Sequence, residues 1–183
     1  MTRLPDPYKS LSDEHRAIFD SMEKKRGPIR GMYRTLFNHP ELALAVSNLG
    51  TFIRFEGALS FREKEVAILT AARYLRAGFV WQQHERPALN AGAPQATIDG
   101  VKSGKGPPTT DECKFDILAW RVASLAMEGK SIPDDLAQEA KKRVGTNGLI
   151  EIVVVAGFYK MIACVVTAFD VPLPDRSSPP FDD

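Results

Sequence analysis

The sequence predicts an all-α fold, and three observations carry that reading. Apolar residues recur at three- and four-residue spacing along most of the chain, the period of helices with one buried face. Ser, Thr and Pro starts alternate with Gly stops at helix-length intervals. No segment alternates apolar and polar residues as a half-buried strand does, and neither a strand–helix–strand order nor an internal repeat is present. With 183 residues the chain is sized for a single domain.

Each element follows from its punctuation. Ser12 caps the first helix, Asp13 and Glu14 suit its positive end, and Leu11, His15, Ile18, Phe19 and Met22 share a face until Gly27-Pro28 ends it. Pro40 fits the first turn of the next, whose stripe is Leu42, Val46, Leu49, Phe52 and Ile53, closed by Gly57. Ser60-Phe-Arg-Glu63 is a capping box that opens a helix running through Val66, Ile68, Leu69 and Leu75 to about Arg76. Another helix spans 78–90, with Gly92 placed to end it. Pro94 begins a short one through Ile98 and Val101, and Lys102-Ser-Gly-Lys-Gly-Pro-Pro108 is a loop by composition.

Thr109-Thr-Asp-Glu112 reads as a second capping box, starting a helix that Gly129 ends. Pro133 starts the next, which stops near Gly145. The last helix, 149–169, is apolar nearly all round. Its Val153-Val-Val155 run is β-prone, but the apolar stretch is far longer than a usual strand. Such a helix lies in lipid or inside protein. Glu151, Lys160 and Thr167, with no second span elsewhere, favour burial in the core and across a subunit interface. The organisation expected is an N-terminal helical extension over 1–36, a helical domain over 37–172, and an extended, loose tail over 173–183.

Composition narrows the function. The chain is 44% hydrophobic and 26% charged, as soluble globular proteins are. Lys and Arg total 24 against 23 acidic residues, without the basic excess that meets phosphates, so no nucleic-acid partner is expected. Cys113 and Cys164 form no Cys-x-x-Cys, metal spacing or disulfide framework and read as buried small apolar residues. With no apolar leader at the start, the expected compartment is the cytoplasm, and no membrane partner is expected.

Several motifs are missing. No Gly-rich phosphate loop precedes a helix, and Lys102-Ser-Gly-Lys-Gly lacks the Lys-Ser/Thr ending of one. His84-Glu85 resembles half of a zinc motif, but position 88 is alanine, so no metal is expected. No Gly-x-Ser-x-Gly elbow offers a serine nucleophile. His15 and His39 lie at helix starts without partner motifs and read as structural.

The informative stretch is 52–92. It holds Leu59-Ser-Phe-Arg-Glu-Lys-Glu65-Val-Ala-Ile-Leu and then Trp81-Gln-Gln-His84 ahead of Asn90-Ala-Gly92. This pattern resembles the carboxymuconolactone decarboxylase family, which includes the alkylhydroperoxidase D proteins. The final Leu149-Ile-Glu-Ile-Val and Phe169-Asp-Val-Pro-Leu-Pro resemble that family's last helix, so the resemblance covers roughly 37–172. It implies a helical bundle of the alkylhydroperoxidase D-like type and a homo-oligomer, dimer or larger, trimer and hexamer included.

The resemblance assigns Glu65 and His84 as the catalytic pair. In the peroxidase branch a Cys-x-x-Cys stands between them; here those positions are Ala77 and Val80, which supply no thiolate nucleophile. Relatives without the cysteines carry a glutamate just before the tryptophan, where this chain again has Val80. An acid/base pair remains, as in the decarboxylase branch, which uses no cofactor. The expected function is a cofactor-free lyase that decarboxylates a small carboxylated lactone or aromatic-degradation intermediate. Two alternatives are a peroxiredoxin-type antioxidant, opposed by the missing cysteines, and a non-catalytic oligomeric binding protein.

The chemistry suits these residue types. Loss of carbon dioxide leaves a carbanion that needs a proton, and a histidine titrating near neutrality delivers one while a carboxylate orients it. Ala77 and Val80 precede His84 by two and one helical turns, leaving room for a ligand beside the imidazole. Arg54 is the expected anchor for the substrate's carboxylate, with Arg62 and Arg73 as second choices, because a guanidinium fork matches a carboxylate. Trp81 is expected as an apolar wall of the pocket.

Overall fold

The computed structural model describes residues 2–172 and 180–181, and among them every regular element is helical. After a 3₁₀ turn at Pro7–Ser10 come α1 (Asp13–Arg26), α2 (Gly31–Leu36), α3 (Pro40–Thr51), α4 (Phe61–Tyr74), α5 (Gly78–Asn90), α6 (Gln95–Ser103), α7 (Lys114–Glu128) and α8 (Asp134–Ala168). The all-α expectation holds. α2, only six residues long, had no periodic signal to announce it.

α4 is the hub. It packs on α5, α6, α7 and α8, so Glu63 through Ala72 are all buried. Its start is the capping box read from the sequence: Glu63 N donates to Ser60 Oγ at 3.3 Å, and Ser60 N donates to Glu63 Oε2 at 3.0 Å. The second box is a correction. α7 begins at Lys114, with Cys113 before it and no side-chain cap. The Thr110–Cys113 stretch turns on itself through Cys113 N to Thr110 O, and the Glu112 carbonyl is taken by Arg62 Nη2 at 2.7 Å.

α3 does not stop cleanly. It runs into a π-turn at Phe52–Glu56, and the chain then leaves through Gly57. Gly57 sits against the Glu151 carboxylate of α8, which a Cβ there would meet at 2.5 Å. That carboxylate accepts from Ala58 N at 2.7 Å and Leu59 N at 3.1 Å, fastening the α3–α4 connection. α1, α2 and α3 share a smaller apolar cluster of Phe19, Met22, Ile29, Phe37 and Ala43.

α8 is broken at Gly145, whose φ of 71° lies where only glycine sits comfortably. The sequence places a stop there; the helix resumes at once instead of pausing until Leu149. By length and composition α8 could cross a membrane, yet half of its most apolar stretch is buried against the rest of the chain. Cys113 is buried as expected, but Cys164 is exposed on α8. Of the tail read as loose, 173–179 and 182–183 lie outside the described residues. Phe181 meets Trp81 edge-to-face, ring centroids 5.2 Å apart.

Candidate active site

The α4–α5 connection brings Glu65 and His84 level. His84 Nδ1 lies 2.7 Å from Glu65 Oε2, with both residues buried, at 8% and 4% exposure. A carboxylate in that position accepts the Nδ1 proton, so the neutral ring presents Nε2 as a base and the protonated ring presents it as a donor. Nε2 has no hydrogen-bond partner among the described residues. The Tyr159 ring stands edge-to-face against the imidazole at 4.9 Å and limits its rotation.

His84 lines a cavity of about 270 Å³. That is near the lower end of small-molecule sites, about 300–1,000 Å³. The other lining residues are Arg30, Met32, Tyr33, Gly50, Arg54, Phe79, Val80, Gln83, Phe158, Tyr159 and Ile162. Gly50 makes room on the α3 side: a Cβ there would meet the Tyr33 hydroxyl at 2.7 Å and Phe158 Cζ at 3.1 Å.

Arg54 and Val80 are therefore on the cavity wall. Ala77 and Trp81 are not, which corrects both expectations. Successive helical residues turn by about 100°, so Ala77, Trp81 and Ala88 form one stripe facing the core, while Phe79, Val80, Gln83 and His84 form the neighbouring one. Trp81 is wholly buried and belongs to the main core rather than to the pocket.

The second-choice arginines are engaged elsewhere. Arg62 grips Asp116, Nε to Oδ1 at 2.7 Å and Nη2 to Oδ2 at 2.8 Å. That hydrogen bonding raises the guanidinium's pKa above its usual value. Arg73 Nε donates to the Lys102 carbonyl, away from His84. Arg54 has no acidic partner among the described residues; its guanidinium lies 5.4 Å from the Phe55 ring centroid. Lys64, buried beside Glu65, donates from Nζ to the Arg54 carbonyl at 3.2 Å, and burial lowers its pKa.

Arg30, Tyr33, Phe79, Gln83, Phe158 and Tyr159 escaped the sequence reading. Phe79 and Gln83 were within reach of it, since they share the helical face of Val80 and His84. Arg30, Tyr33, Phe158 and Tyr159 carried no signal, because only tertiary packing brings α2 and α8 to the α5 face. Among the described residues no group of three or more His, Cys, Asp or Glu side chains could hold a metal ion.

Comparison with known proteins places this hairpin. Residues 40–103, the stretch holding both Glu65 and His84, match the model of the carboxymuconolactone decarboxylase family. The match falls on the capped helix and the Trp-x-x-His pattern that carry the sequence resemblance. Two crystal structures share the fold, both of the debrominase Bmp8: one without ligand and one of a cysteine-to-alanine variant in complex with 2,3,4-tribromopyrrole. Each superposes with a TM-score of 0.70 at 15% identity, over 96% of this chain and 91% or 92% of the neighbour. No curated protein sequence matches the chain.

Proposed function

We propose that this protein is a cofactor-free lyase that decarboxylates a small carboxylated lactone or a related aromatic-degradation intermediate. The observation that carries the reading is the buried His84–Glu65 pair opening on a cavity where, among the described residues, Arg30 and Arg54 have no acidic partner and no carboxylate lines the wall. In the reaction the bond from carbon to the departing carboxylate breaks, its electron pair stays on carbon, and carbon dioxide leaves. Protonated His84 then gives its Nε2 proton to that carbon, and solvent restores the imidazolium. Glu65 stabilises the charged ring and holds its orientation. Arg54 holds a carboxylate of the substrate, and the aromatic walls exclude water.

A thiol-dependent antioxidant activity lacks support, since none of the described residues lining the cavity is a cysteine. The chain also self-associates in this reading: Ile150, Val153, Val154 and Met161 expose an apolar stripe on α8 that a second copy would cover. A monomer mass by light scattering at micromolar concentration would contradict that.

The test is ultraviolet-monitored turnover of γ-carboxymuconolactone by the wild type and by His84→Ala. The expected result is turnover that falls by about 10²–10⁴-fold in the variant, the usual weight of a general acid. Turnover retained in His84→Ala overturns the mechanism. A ligand bound by the wild type and recovered unchanged would favour the non-catalytic binding protein.

A further inference from the structure

We propose that Trp81 and Arg73 form a built seat for the aromatic ring of Phe181, and that filling this seat holds α5 against α4 so that His84 keeps its hydrogen bond to Glu65. Both parts concern the geometry of the pair and hold whatever reaction the cavity carries out.

The seat has two walls. The Trp81 ring meets Phe181 edge-to-face at 5.2 Å, and the Arg73 guanidinium lies 5.6 Å from the Phe181 ring centroid. Both distances fall within the range of favourable ring–ring and cation–ring contacts. Arg73 is itself fixed, because its Nε donates to the Lys102 carbonyl at 2.5 Å. Phe181 is half-buried at the edge of a cavity of about 390 Å³ beside α4 and α6, whereas Trp81 has no exposure.

Trp81 Nε1 is buried and has no hydrogen-bond partner among the described residues. Buried indole N–H groups usually find one. Departure of the Phe181 ring would let water reach this donor, so the emission of Trp81 reports whether the seat is filled.

α5 depends on such outside contacts. It starts without a side-chain cap at Ala77, and Pro87 within it leaves the Gln83 carbonyl without its usual donor. The turn before it holds Arg76 at φ +51°, a left-handed conformation that a non-glycine residue keeps only where its surroundings fix it. Trp81 and His84 stand one turn apart on α5, the first against Phe181 and the second 2.7 Å from Glu65 of α4. A tilt of α5 that followed an emptied seat would stretch that bond, since the helix moves as one body.

The experiment uses the full chain carrying Trp120→Phe, which leaves Trp81 as its one tryptophan. Acrylamide quenching of Trp81, thermal unfolding and the His84 Nδ1–H resonance in histidine-labelled protein are measured, the resonance being identified by its absence in His84→Ala. Phe181→Ala should redden the emission, raise the quenching constant several-fold and remove the Nδ1–H resonance by exchange with water, with a cooperative unfolding transition retained. Phe181→Tyr, which keeps the ring, should behave as the parent. Arg73→Met should raise the quenching less than Phe181→Ala does.

Quenching unchanged in Phe181→Ala overturns the seat. An emptied seat with the Nδ1–H resonance intact overturns the link to His84. Should Phe181→Ala lose its cooperative transition, Phe181→Leu, which keeps apolar cover without a flat ring, decides by the same two signals. Neither signal depends on lactone turnover, so failure of the lyase assay leaves this inference standing, and failure here leaves the lyase reading standing.

Discussion

Arg62 and Glu65 lie one turn apart on α4, and each enters a buried ion pair with another helix. Arg62 meets Asp116 of α7, and Glu65 meets His84 of α5. The first pair is saturated: Asp116, with no exposure, accepts two bonds from Arg62 and one from Thr97 Oγ1, and Arg62 donates a further bond to the Glu112 carbonyl. The second is left with spare capacity. His84 spends one nitrogen on Glu65 and lines a cavity with the other unpartnered. Burial of a charge therefore does not mark a site; a buried pair with an unused hydrogen-bonding atom beside open space does. The Arg62 pair is a strut between α4, α6 and α7.

That contrast predicts opposite phenotypes. Asp116→Ala, the larger effect, strips a part-buried guanidinium and the buried Thr97 hydroxyl of their acceptor, and should cost about 3 kcal/mol of stability in urea unfolding, the low end for a broken buried pair because Arg62 is a quarter exposed. Lactone turnover per folded molecule should be unchanged. A stable Asp116→Ala protein would mean that water replaces the carboxylate and that the pair is no strut.

Glu65→Gln should do the reverse. The amide can donate to or accept from Nδ1, so the unfolding midpoint should move little. The charge that favours imidazolium is gone, and so is the preference for the Nδ1–H tautomer. Turnover should fall by at least about tenfold, about 1.4 kcal/mol in the barrier. A variant that unfolds easily but turns over normally would make Glu65 a second strut and erase the distinction.

The same contrast explains what was legible in the sequence. Helix starts with a local chemical cause, such as Ser12, Ser60 and Pro40, were readable because cap and partner lie within one turn. Thr109–Glu112 carries the same letters, but Arg62 takes the carbonyl of Glu112 from outside the segment, and the box does not form. Glu65 and His84 were reachable through a motif on one hairpin. The polar letters of Arg62-Glu-Lys-Glu65 suggest a solvated helix face, yet three of those four residues are buried, because four other helices surround α4. Arg30 and Tyr159 came from distant segments, and no local rule joins them to His84.

Lys64 supplies the smallest test and completes the comparison, since it is the buried cation between the strut and the candidate active pair. It is 5% exposed, and its ammonium caps the Arg54 carbonyl. Burial pulls its pKa below the ordinary 10.5, while Glu151 and Glu65 pull it back up without winning. A lysine whose folded pKa is depressed holds fewer protons in the native state than in the unfolded one between that lowered value and 10.5. Stability therefore rises with pH across this window. Lys64→Met has no such titration, so the stability difference between wild type and variant should shift toward the wild type as pH climbs to 10.5. The variant should also slow lactone turnover slightly, because Met cannot hold the π-turn that carries Arg54. A difference that stays flat with pH would show that the ammonium keeps a solvent-like environment. The bond to the Arg54 carbonyl would then carry little weight, the Glu151 bonds to Ala58 N and Leu59 N would be the main fastening of the α3–α4 connection, and α4 would contribute only Glu65 to the candidate site.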